Sequence, residues 1–268
     1  MAERFILKFN LARNCLRYVI KAYGIEEIFL PYYICPALIK AVRKENCHIK
    51  FYHIDNEFFP AENFEKNAFI VYPNYFGICA ENVLKLNEKY KNLIVDNAHN
   101  FYMMDCGLAS FNSIRKFFSV RDGAELFISK KFDKIFEKDS CKYENFDVEN
   151  YEKFVENETR LDNEDIKFLS DSTEKIFTSF NLEKEKQKRL EKFCLLHEKF
   201  GNINELKFTL NSLDVPFVYP LLLSDETTGK ILENGGHRIL RYWEALPEFF
   251  PEYRFYKYLI PLNLNETF

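Results

Sequence analysis

The sequence predicts an α/β protein with a mostly parallel sheet and helices on both faces of that sheet. The first half alternates helix-like segments with short apolar runs that are typical of buried strands. Such alternation favours parallel strands joined by crossover helices, which then cover the sheet. With 268 residues, of which 47% are hydrophobic, the chain is long enough to bury a full core.

The elements of this first half follow one another in a regular order. The first helix is predicted in LARNCLRYVIKAYG, where apolar residues recur at helical spacing and Gly24 supplies the C-cap. A strand follows in EEIFLP, which Pro31 ends, and a second helix in CPALIKAVRKEN tolerates Pro36 in its first turn. Two strands, HIKFYHID and NAFIVYP, then precede an amphipathic helix in ENVLKLNEKY and the buried strand NLIVD.

The character of the chain changes after residue 130. Residues 130–187 are dense in Lys, Glu, Asp and Asn, with apolar residues at helical spacing, and predict a solvated helical region. A long amphipathic helix, EKEKQKRLEKFCLLHEKFG, leads into strand, helix and strand in VPFVYPLLL, GKILENGG and YKYLIPLNL. We therefore predict a large α/β domain over residues 1–180 and a small C-terminal α+β domain over residues 181–268.

Composition argues against several classes of protein. The net charge of −4, from 37 basic and 41 acidic residues, does not favour a nucleic-acid partner. No apolar run reaches the roughly 20 residues of a membrane-spanning helix, and MAERFILKFN is too short and too charged for a signal peptide. The seven cysteines form no CxxC pair, so neither a metal site nor a disulfide framework is expected, and a reducing cytoplasm fits best.

The stretch LIVDNAHNFY, residues 93–102, places a carboxylate at the end of a predicted buried strand. Ligands of parallel α/β sheets bind at this end of the strands, so Asp96 and His99 are candidates for a site. Taken alone, Asp96 is more often a cap for the following turn, and His99 is more often a core or turn histidine.

Residues 109–126, ASFNSIRKFFSVRDGAEL, add the groups that pyridoxal phosphate (PLP) chemistry requires. A lysine in a predicted polar loop can form the Schiff base with the cofactor, and a strand-end aspartate can pair with the pyridinium nitrogen. Neighbouring Ser and Asn side chains, together with helix-terminal amides, can hold the phosphate.

Short motifs occur in an order and spacing that extend from about residue 9 to residue 265. They are ARNCL, LPYYIC, VYPNYFG, DNAH, and SFNSIRK with the turn RDGAEL. In this ordered set the chain resembles the DegT/StrS-like sugar aminotransferases, PLP-dependent enzymes of fold type I that aminate nucleotide-linked keto-sugars. The late segments VPFVYPLLL, RYWEALPE and YLIPLNLNE resemble the small C-terminal domain of that family. The resemblance implies the fold type I architecture and a homodimer.

The resemblance also implies a role for each matching residue. Asp96 would pair with the pyridine nitrogen, and His99 would lie against the phenolic oxygen or the ring. Arg13 and Asn14, at a helix N-terminus, would offer backbone N–H groups to the phosphate. The remaining implied cofactor contacts are Cys35 and Asn74 beside the ring, and Ser110, Asn112 and Ser113 as side-chain donors to the phosphate.

The position of the catalytic lysine is ambiguous by one residue. Counting forward from Ser110, the lysine position of the family falls on Arg115, whereas counting back from the RDGAEL turn it falls on Lys116. A one-residue insertion reconciles the two counts, and arginine cannot form the imine because its guanidinium stays protonated. We therefore predict Lys116 as the catalytic lysine. The family's glycine-rich turn retains only Gly123.

The function that follows is transfer of an amino group, commonly from glutamate, to a nucleotide-linked or related keto-sugar for surface-polysaccharide biosynthesis. In this interpretation Lys116 also moves the proton at the α-carbon. One alternative is a non-catalytic member that keeps the fold and acts as a binding or scaffold protein in the same pathway. Another is an unrelated α/β protein in which Asp96 is only a cap. The basic loop GGHR, residues 235–238, either faces a substrate or is a solvated turn.

Overall fold

The computed structural model describes residues 3–103, 105–140, 151–234, 239–243 and 246–264. The GGHR loop at residues 235–238 lies outside the described residues. Over the ranges that are described, no helix is long and apolar enough to cross a membrane. In the same ranges, no group of three or more His, Cys, Asp or Glu residues could hold a metal ion.

The strands of the described residues form a seven-stranded sheet and a separate two-stranded sheet. The strands of the large sheet come from the first half of the chain, and those of the small sheet from its last quarter. They are β1 (Phe5–Phe9), β2 (Glu27–Pro31), β3 (His48–Tyr52), β4 (Ile70–Pro73), β5 (Leu93–Asn97), β6 (Ala109–Asn112), β7 (Ala124–Ile128), β8 (Val218–Leu222) and β9 (Leu259–Asn263).

Several helices of the described residues begin and end close to the places that apolar spacing predicts. The first helix, for example, ends at Gly24, which has the left-handed conformation of a C-cap with φ of 66°. The short helices Ile114–Phe117 and Tyr253–Tyr258 differ, because the first lies in the predicted polar loop and the second overlaps the predicted strand YKYLIPLNL. The helices are α1 (Ala12–Tyr23), α2 (Pro36–Lys44), α3 (Ala80–Lys89), α4 (Ile114–Phe117), α5 (Tyr151–Leu161), α6 (Asp171–Phe177), α7 (Leu182–Phe200), α8 (Thr227–Asn234) and α9 (Tyr253–Tyr258), with a 3₁₀ turn at Tyr75–Gly77.

The large sheet has the strand order β1-β7-β6-β5-β4-β2-β3. Strands β3, β2, β4, β5 and β6 run parallel, whereas β7 is antiparallel to both of its neighbours, β1 and β6. The predicted fold class, an α/β protein with a mostly parallel sheet, is therefore confirmed. The parallel strands bring their carboxyl ends, including Asp96 on β5 and Asn112 on β6, to a common edge.

Hydrophobic clusters cover both faces of the large sheet. On one face, Ile94 of β5 packs in a cluster with Leu16 of α1 and Val42 of α2. On the opposite face, Val95 of β5 packs in a cluster with Val83 of α3. Because successive strand residues point to opposite faces, burial on both sides explains why β5 is apolar without alternation.

The small antiparallel sheet of β8 and β9 packs against the long helix α7. Phe193 and Phe200 of α7 share a buried cluster with Leu221 of β8 and Ile260 of β9. This confirms a small α+β unit at the C-terminal end. The division of the chain into domains of residues 1–180 and 181–268 stays a prediction.

Three strands of the large sheet were not predicted, and they change the setting of the candidate lysine. β6 and β7 lie on either side of the segment that the sequence predicted as a polar loop, and β1 pairs with β7 from the start of the chain. Lys116 therefore lies in the one-turn helix α4, directly after β6, and not in an open loop.

Candidate active site

The carboxyl end of β5 holds Asp96, the central residue of the candidate site. Asp96 is 9% exposed, and the whole of β5 is buried. Its Oδ1 atom accepts a hydrogen bond of 2.9 Å from the amide of Ala98, and the amide of Asn74 donates to the Asp96 carbonyl at 2.9 Å. Among the described residues no second donor reaches the carboxylate, so it retains capacity to bind an N–H group of a ligand.

Burial dominates the titration of Asp96. Removal from water raises the pKa of its carboxyl to about 6, while the nearby charge of Lys116 and the hydrogen bond from Ala98 act in the opposite direction. The ionised form is therefore costly in the free protein. A positively charged ring nitrogen beside this carboxylate would remove that cost.

Lys116 shares the pocket of Asp96 and His99. Its charge acts on the titration of both residues, and its Nζ atom lies 5.4 Å from the centroid of the Phe217 ring. The described part of the chain offers the amine no ion pair and no hydrogen bond. A half-buried lysine amine without a partner is unusual for a structural residue and is what a covalent cofactor attachment needs.

Burial shifts the titration of Lys116 toward the neutral amine. Burial lowers the pKa of the amine, and the neighbouring positive charge of Arg115 lowers it further, whereas Cys35 and Asp96 raise it. A lowered pKa increases the neutral fraction at a given pH, and the neutral amine is the nucleophilic form.

His99 is buried in an aromatic stack and is held neutral. Its ring lies 5.1 Å from that of Phe217 at 28° and 5.7 Å from that of Trp243 at 13°. Burial lowers the pKa of His99 well below its usual value, and the charge of Lys116 lowers it further. A neutral imidazole in this place can donate or accept one hydrogen bond.

The glycine of the VYPNYFG motif is required by the approach of two loops. Gly77 has φ of 78°, and a Cβ atom there would lie 2.2 Å from the carbonyl oxygen of His99 and 2.7 Å from that of Val215. Only a residue without a side chain allows this contact. Gly77 therefore holds the loop after β4 against the DNAH turn.

The predicted cofactor residue Asn74 has its side chain committed to neighbouring loops. Its Nδ2 atom donates to Asn97 Oδ1 at 3.1 Å, and its Oδ1 atom accepts from the amide of Cys79 at 3.0 Å. Asn74 therefore braces the carboxyl ends of β4 and β5 beside Asp96.

Ser110 and Asn112 are also engaged in the scaffold. Ser110 Oγ accepts from the amide of Cys106 at 3.3 Å. Asn112 Nδ2 donates to Glu125 Oε2 at 3.0 Å, and Asn112 Oδ1 accepts from the Glu125 amide at 2.9 Å. These contacts stabilise the β5–β6 turn and the β6–β7 pairing, and the predicted role of both residues in cofactor binding stays a prediction.

The N-terminus of α1 faces the segment that follows α5. The amide of Asn14 donates to the Leu11 carbonyl at 3.0 Å, and Asn14 Nδ2 donates to the Asp165 carbonyl at 2.8 Å. The guanidinium of Arg13 donates to the carbonyl of Leu161. The predicted backbone donors are thus at a helix N-terminus, as expected, with the Asn14 amide already paired.

Cys35 and Ser113 begin helices at the same edge of the sheet. Cys35 precedes α2 and Ser113 precedes α4, and neither side chain forms a capping hydrogen bond. Cys35 is close enough to Arg13, Arg115 and Lys116 to contribute to the electrostatics of all three. Cys35, Arg13, Arg115 and Lys116 are thus close to one another, and the convergence of all the predicted residues in one pocket stays a prediction.

Two features of this pocket were missed by sequence reasoning. The rings that pack on His99 come from Phe217 and Trp243, neither of which was predicted as a site residue. Arg115 is buried and forms an ion pair with Glu158 of α5. The sequence signal for the Arg115 contact is the adjacency of Arg115 and Lys116, because two neighbouring cations in a folded segment need separate partners.

A separate cleft of about 560 Å³ lies between α3 and the end of α7. Asn82, His197 and Phe208 are among its lining residues, and Asp96 and Lys116 are not. It is therefore distinct from the pocket in which the predicted catalytic groups converge.

The strand order, the helical layers and the edge occupied by Asp96 and Lys116 define the fold as that of fold type I PLP-dependent aminotransferases. The solved structures with this fold share 11–17% sequence identity with the chain. The likeness therefore establishes the fold. No family model matches the chain, and no curated protein matches it.

Three solved structures illustrate the likeness. A DegT DnrJ EryC1 StrS aminotransferase from Brucella abortus is 13% identical, with a TM-score of 0.62, over 99% of this chain and 82% of that one. A proposed sugar aminotransferase from Streptococcus pneumoniae, solved in PMP and PLP forms, is 14% identical in the PMP form, with a TM-score of 0.67, over 98% and 82%. Helicobacter pylori PseC, an aminotransferase of pseudoaminic acid biosynthesis, is 17% identical, with a TM-score of 0.58, over 98% and 82%.

Proposed function

We propose that the protein is a PLP-dependent aminotransferase in which Lys116 carries the cofactor. The observation that supports this most directly is the half-buried amine of Lys116, which has no hydrogen-bond or ion-pair partner among the described residues, lies over the Phe217 ring and acts electrostatically on Asp96 and His99. A lysine, a carboxylate and a neutral imidazole in one pocket are the groups that this chemistry uses.

The residues present fit the cofactor. Asp96 has one donor and a pKa raised by burial, so its carboxylate gains from a protonated ring nitrogen. The aromatic rings of Phe217 and Trp243 supply apolar walls beside His99. Arg13 and the α1 N-terminus supply positive potential for a phosphate group.

Each of these residues has a defined task in the reaction. When bound, pyridoxal phosphate supplies an electron sink for the carbon next to the transferred amine. Asp96 stabilises the protonated state of the ring nitrogen on which that sink depends. Lys116, once its amine is free, removes and returns the proton at the substrate carbon, because its lowered pKa makes the neutral base accessible. His99 and its aromatic neighbours exclude water from that transfer.

The substrate we propose is a keto-sugar linked to a nucleotide, with glutamate as the amino donor and surface-polysaccharide synthesis as the setting. Supporting this, several proteins of the same fold are described as sugar aminotransferases, and one acts in pseudoaminic acid biosynthesis. We further propose a cytoplasmic homodimer, as the resemblance to fold type I enzymes implies.

The second candidate is a non-catalytic protein with the same fold. Ser110 and Asn112, which were predicted to donate to the phosphate, instead form hydrogen bonds within the protein. This favours the non-catalytic candidate. The ion pair that covers Arg115 also favours it. The two candidates differ in whether the cofactor forms an imine with Lys116 that an amino donor then converts to the amine form.

Visible absorbance after addition of PLP tests the proposal. The unmodified protein is expected to develop the imine band, and Lys116→Ala is expected to lose it. Lys85→Ala, which removes an exposed lysine paired with Glu81 on α3, is the matched control and should keep the band. Addition of glutamate should then bleach the band as the cofactor takes up the amine.

The outcomes are distinct. No band in the unmodified protein contradicts the enzymatic function. A band that persists in Lys116→Ala shows that another residue carries the cofactor. A band that glutamate and other amino donors leave unchanged supports the non-catalytic candidate.

A further inference from the structure

Cationic side chains lie close together beside Lys116. Arg115 is 9% exposed and directly precedes Lys116 in α4. Burial, together with the charge of Arg13, lowers the pKa of Arg115 to about 10. Two guanidinium groups are thus close together where water is largely excluded, an arrangement that is unfavourable without an anion.

The helix α5 covers this cationic end. Glu158 forms an ion pair with Arg115, and the guanidinium of Arg13 donates to the carbonyl of Leu161 at the end of the helix. Asn157 fixes the same face of α5, since its Nδ2 atom donates to the carbonyl of Arg121 at 2.9 Å. The helix therefore contacts both arginines and the turn that follows α4.

We infer that Arg13 and Arg115 form a binding site for a phosphate monoester, and that Glu158 of α5 holds Arg115 until the phosphate replaces it. This inference rests on the proposed function, in which the phosphate belongs to the cofactor. Arg115, on which the forward count from Ser110 placed the lysine of the family, thus binds the phosphate. Helix α5 covers the bound phosphate.

The difference in charge between Glu158 and a phosphate monoester explains why the phosphate can replace Glu158 at Arg115. The carboxylate of Glu158 carries one negative charge and pairs with Arg115 alone among the residues that the structure describes, while Arg13 uses a backbone carbonyl as its acceptor. A phosphate monoester near neutral pH carries close to two charges and three acceptor oxygens, so it can pair with both guanidiniums. Phosphate thus neutralises the site more completely than Glu158 does.

Electrostatic influence between neighbouring groups places the anion site beside Lys116. Arg115 and Lys116 are adjacent in sequence, and Cys35 contributes to the electrostatics of both, so the site borders the N-terminus of α2. Positive potential from helix N-termini adds to that of the side chains. Lys116 thus lies between the electrostatic influence of Asp96 and that of Arg115, the residue that would hold the phosphate.

Titration of the free protein with inorganic phosphate tests the inference without any need for activity. The variant Glu158→Gln removes the competing charge, and we expect it to bind phosphate roughly fivefold more tightly than the unmodified protein. Glu156→Gln removes the same charge from the exposed face of α5 and is the matched control, with a change of less than about twofold. Arg115→Met should weaken phosphate binding about tenfold.

A second arm compares pyridoxal phosphate with pyridoxal, which lacks the phosphate. Glu158→Gln should tighten binding of pyridoxal phosphate and leave pyridoxal unchanged, which identifies the cofactor phosphate as the ligand. If Glu158→Gln changes the affinity for inorganic phosphate but not for pyridoxal phosphate, the inferred link to the cofactor is overturned.

Equal phosphate affinity in Glu158→Gln, Glu156→Gln and the unmodified protein would show that Glu158 is a structural partner of Arg115 and overturn the inference. Failure of the proposed function is recognised separately. In that case no imine band forms with pyridoxal phosphate, while the phosphate affinities of the Glu158 and Arg115 variants still differ as expected.

Discussion

Two buried carboxylates on neighbouring parts of the large sheet have opposite surroundings. Asp122, fully buried after α4, accepts from the amide of Ser170 at 2.9 Å, from Ser170 Oγ at 2.7 Å and from Thr173 Oγ1. Asp96, at the end of β5, accepts only from the amide of Ala98 among the described residues. Burial raises the pKa of both carboxyl groups.

The difference separates a structural carboxylate from one available to a ligand. The donors around Asp122 come from the start of α6, so this carboxylate joins the β7 region to that helix. Asp96 has no comparable set of donors, and its ionised form lowers the stability of the free protein. A buried group that costs stability and lacks partners is expected at a functional site.

The largest effect is expected from Gly77→Ala, which tests what holds the backbone around Asp96. The new Cβ atom would collide with the carbonyls of His99 and Val215, and the residue has a positive φ. We expect a loss of about 4 kcal/mol in the free energy of unfolding, measured by urea denaturation. Gly24→Ala, also at positive φ but with no atom near the added Cβ, is the control and should lose about 1 kcal/mol.

Asp122→Ala should lower the free energy of unfolding by about 3 kcal/mol, because it leaves buried donors of Ser170 and Thr173 without their acceptor. Urea denaturation of the free protein measures this loss. Asp133→Ala, at an exposed position, should change stability by less than about 0.5 kcal/mol. A small effect at Asp122 would contradict its assignment as a structural carboxylate.

Asp96→Asn, in contrast, should increase the stability of the free protein. The folded-state pKa of Asp96, about 6, lies above its value in the unfolded chain, so ionisation destabilises the fold progressively from about pH 4 to about pH 6. The full cost remains at higher pH, and there is no effect at lower pH. Asparagine keeps an acceptor for the Ala98 amide, and we expect a gain of about 2 kcal/mol at about pH 8 that disappears toward about pH 4.

The same Asp96→Asn variant should bind pyridoxal phosphate more than about tenfold more weakly, because a neutral amide does not stabilise a protonated ring nitrogen. Denaturation curves across pH and cofactor titrations measure the two effects. A variant that gains no stability at high pH would show that Asp96 is satisfied in the free protein, as Asp122 is.

The smallest effect is expected from Ser110→Ala. Its hydroxyl accepts from the amide of Cys106, so its loss should cost about 1 kcal/mol of stability. Thermal denaturation of the free protein measures this change. A fall in cofactor affinity beyond that structural effect would identify Ser110 as a phosphate contact as well.

Patterns that are local in sequence were sufficient for much of the fold. β5 is five consecutive buried residues that end in Asp96, and the helix that ends at Gly24 has regular apolar spacing. The sequence did not predict β1, β6 and β7, and the reason is physical. β6 has four residues, two of them polar, and the antiparallel pairing of β1 with β7 joins segments that are distant in the chain.

The candidate site shows the same limit. Asp96, His99 and Lys116 were recognisable because they stand in a short ordered series of motifs. The contact of Arg115 with Glu158 crosses 43 residues of charged sequence, in which every glutamate is an equal candidate. Likewise, no local pattern predicts that Trp243 stacks on His99, since only the packing of the C-terminal segment brings them together.

Trp243 has one further consequence. It is the only tryptophan of the chain, and its ring lies parallel to that of His99 in the wall of the pocket. Tryptophan emission from this protein therefore originates at the candidate site alone. The unmodified chain carries its own optical reporter, with which the entry of a cofactor or a sugar can be followed without any label.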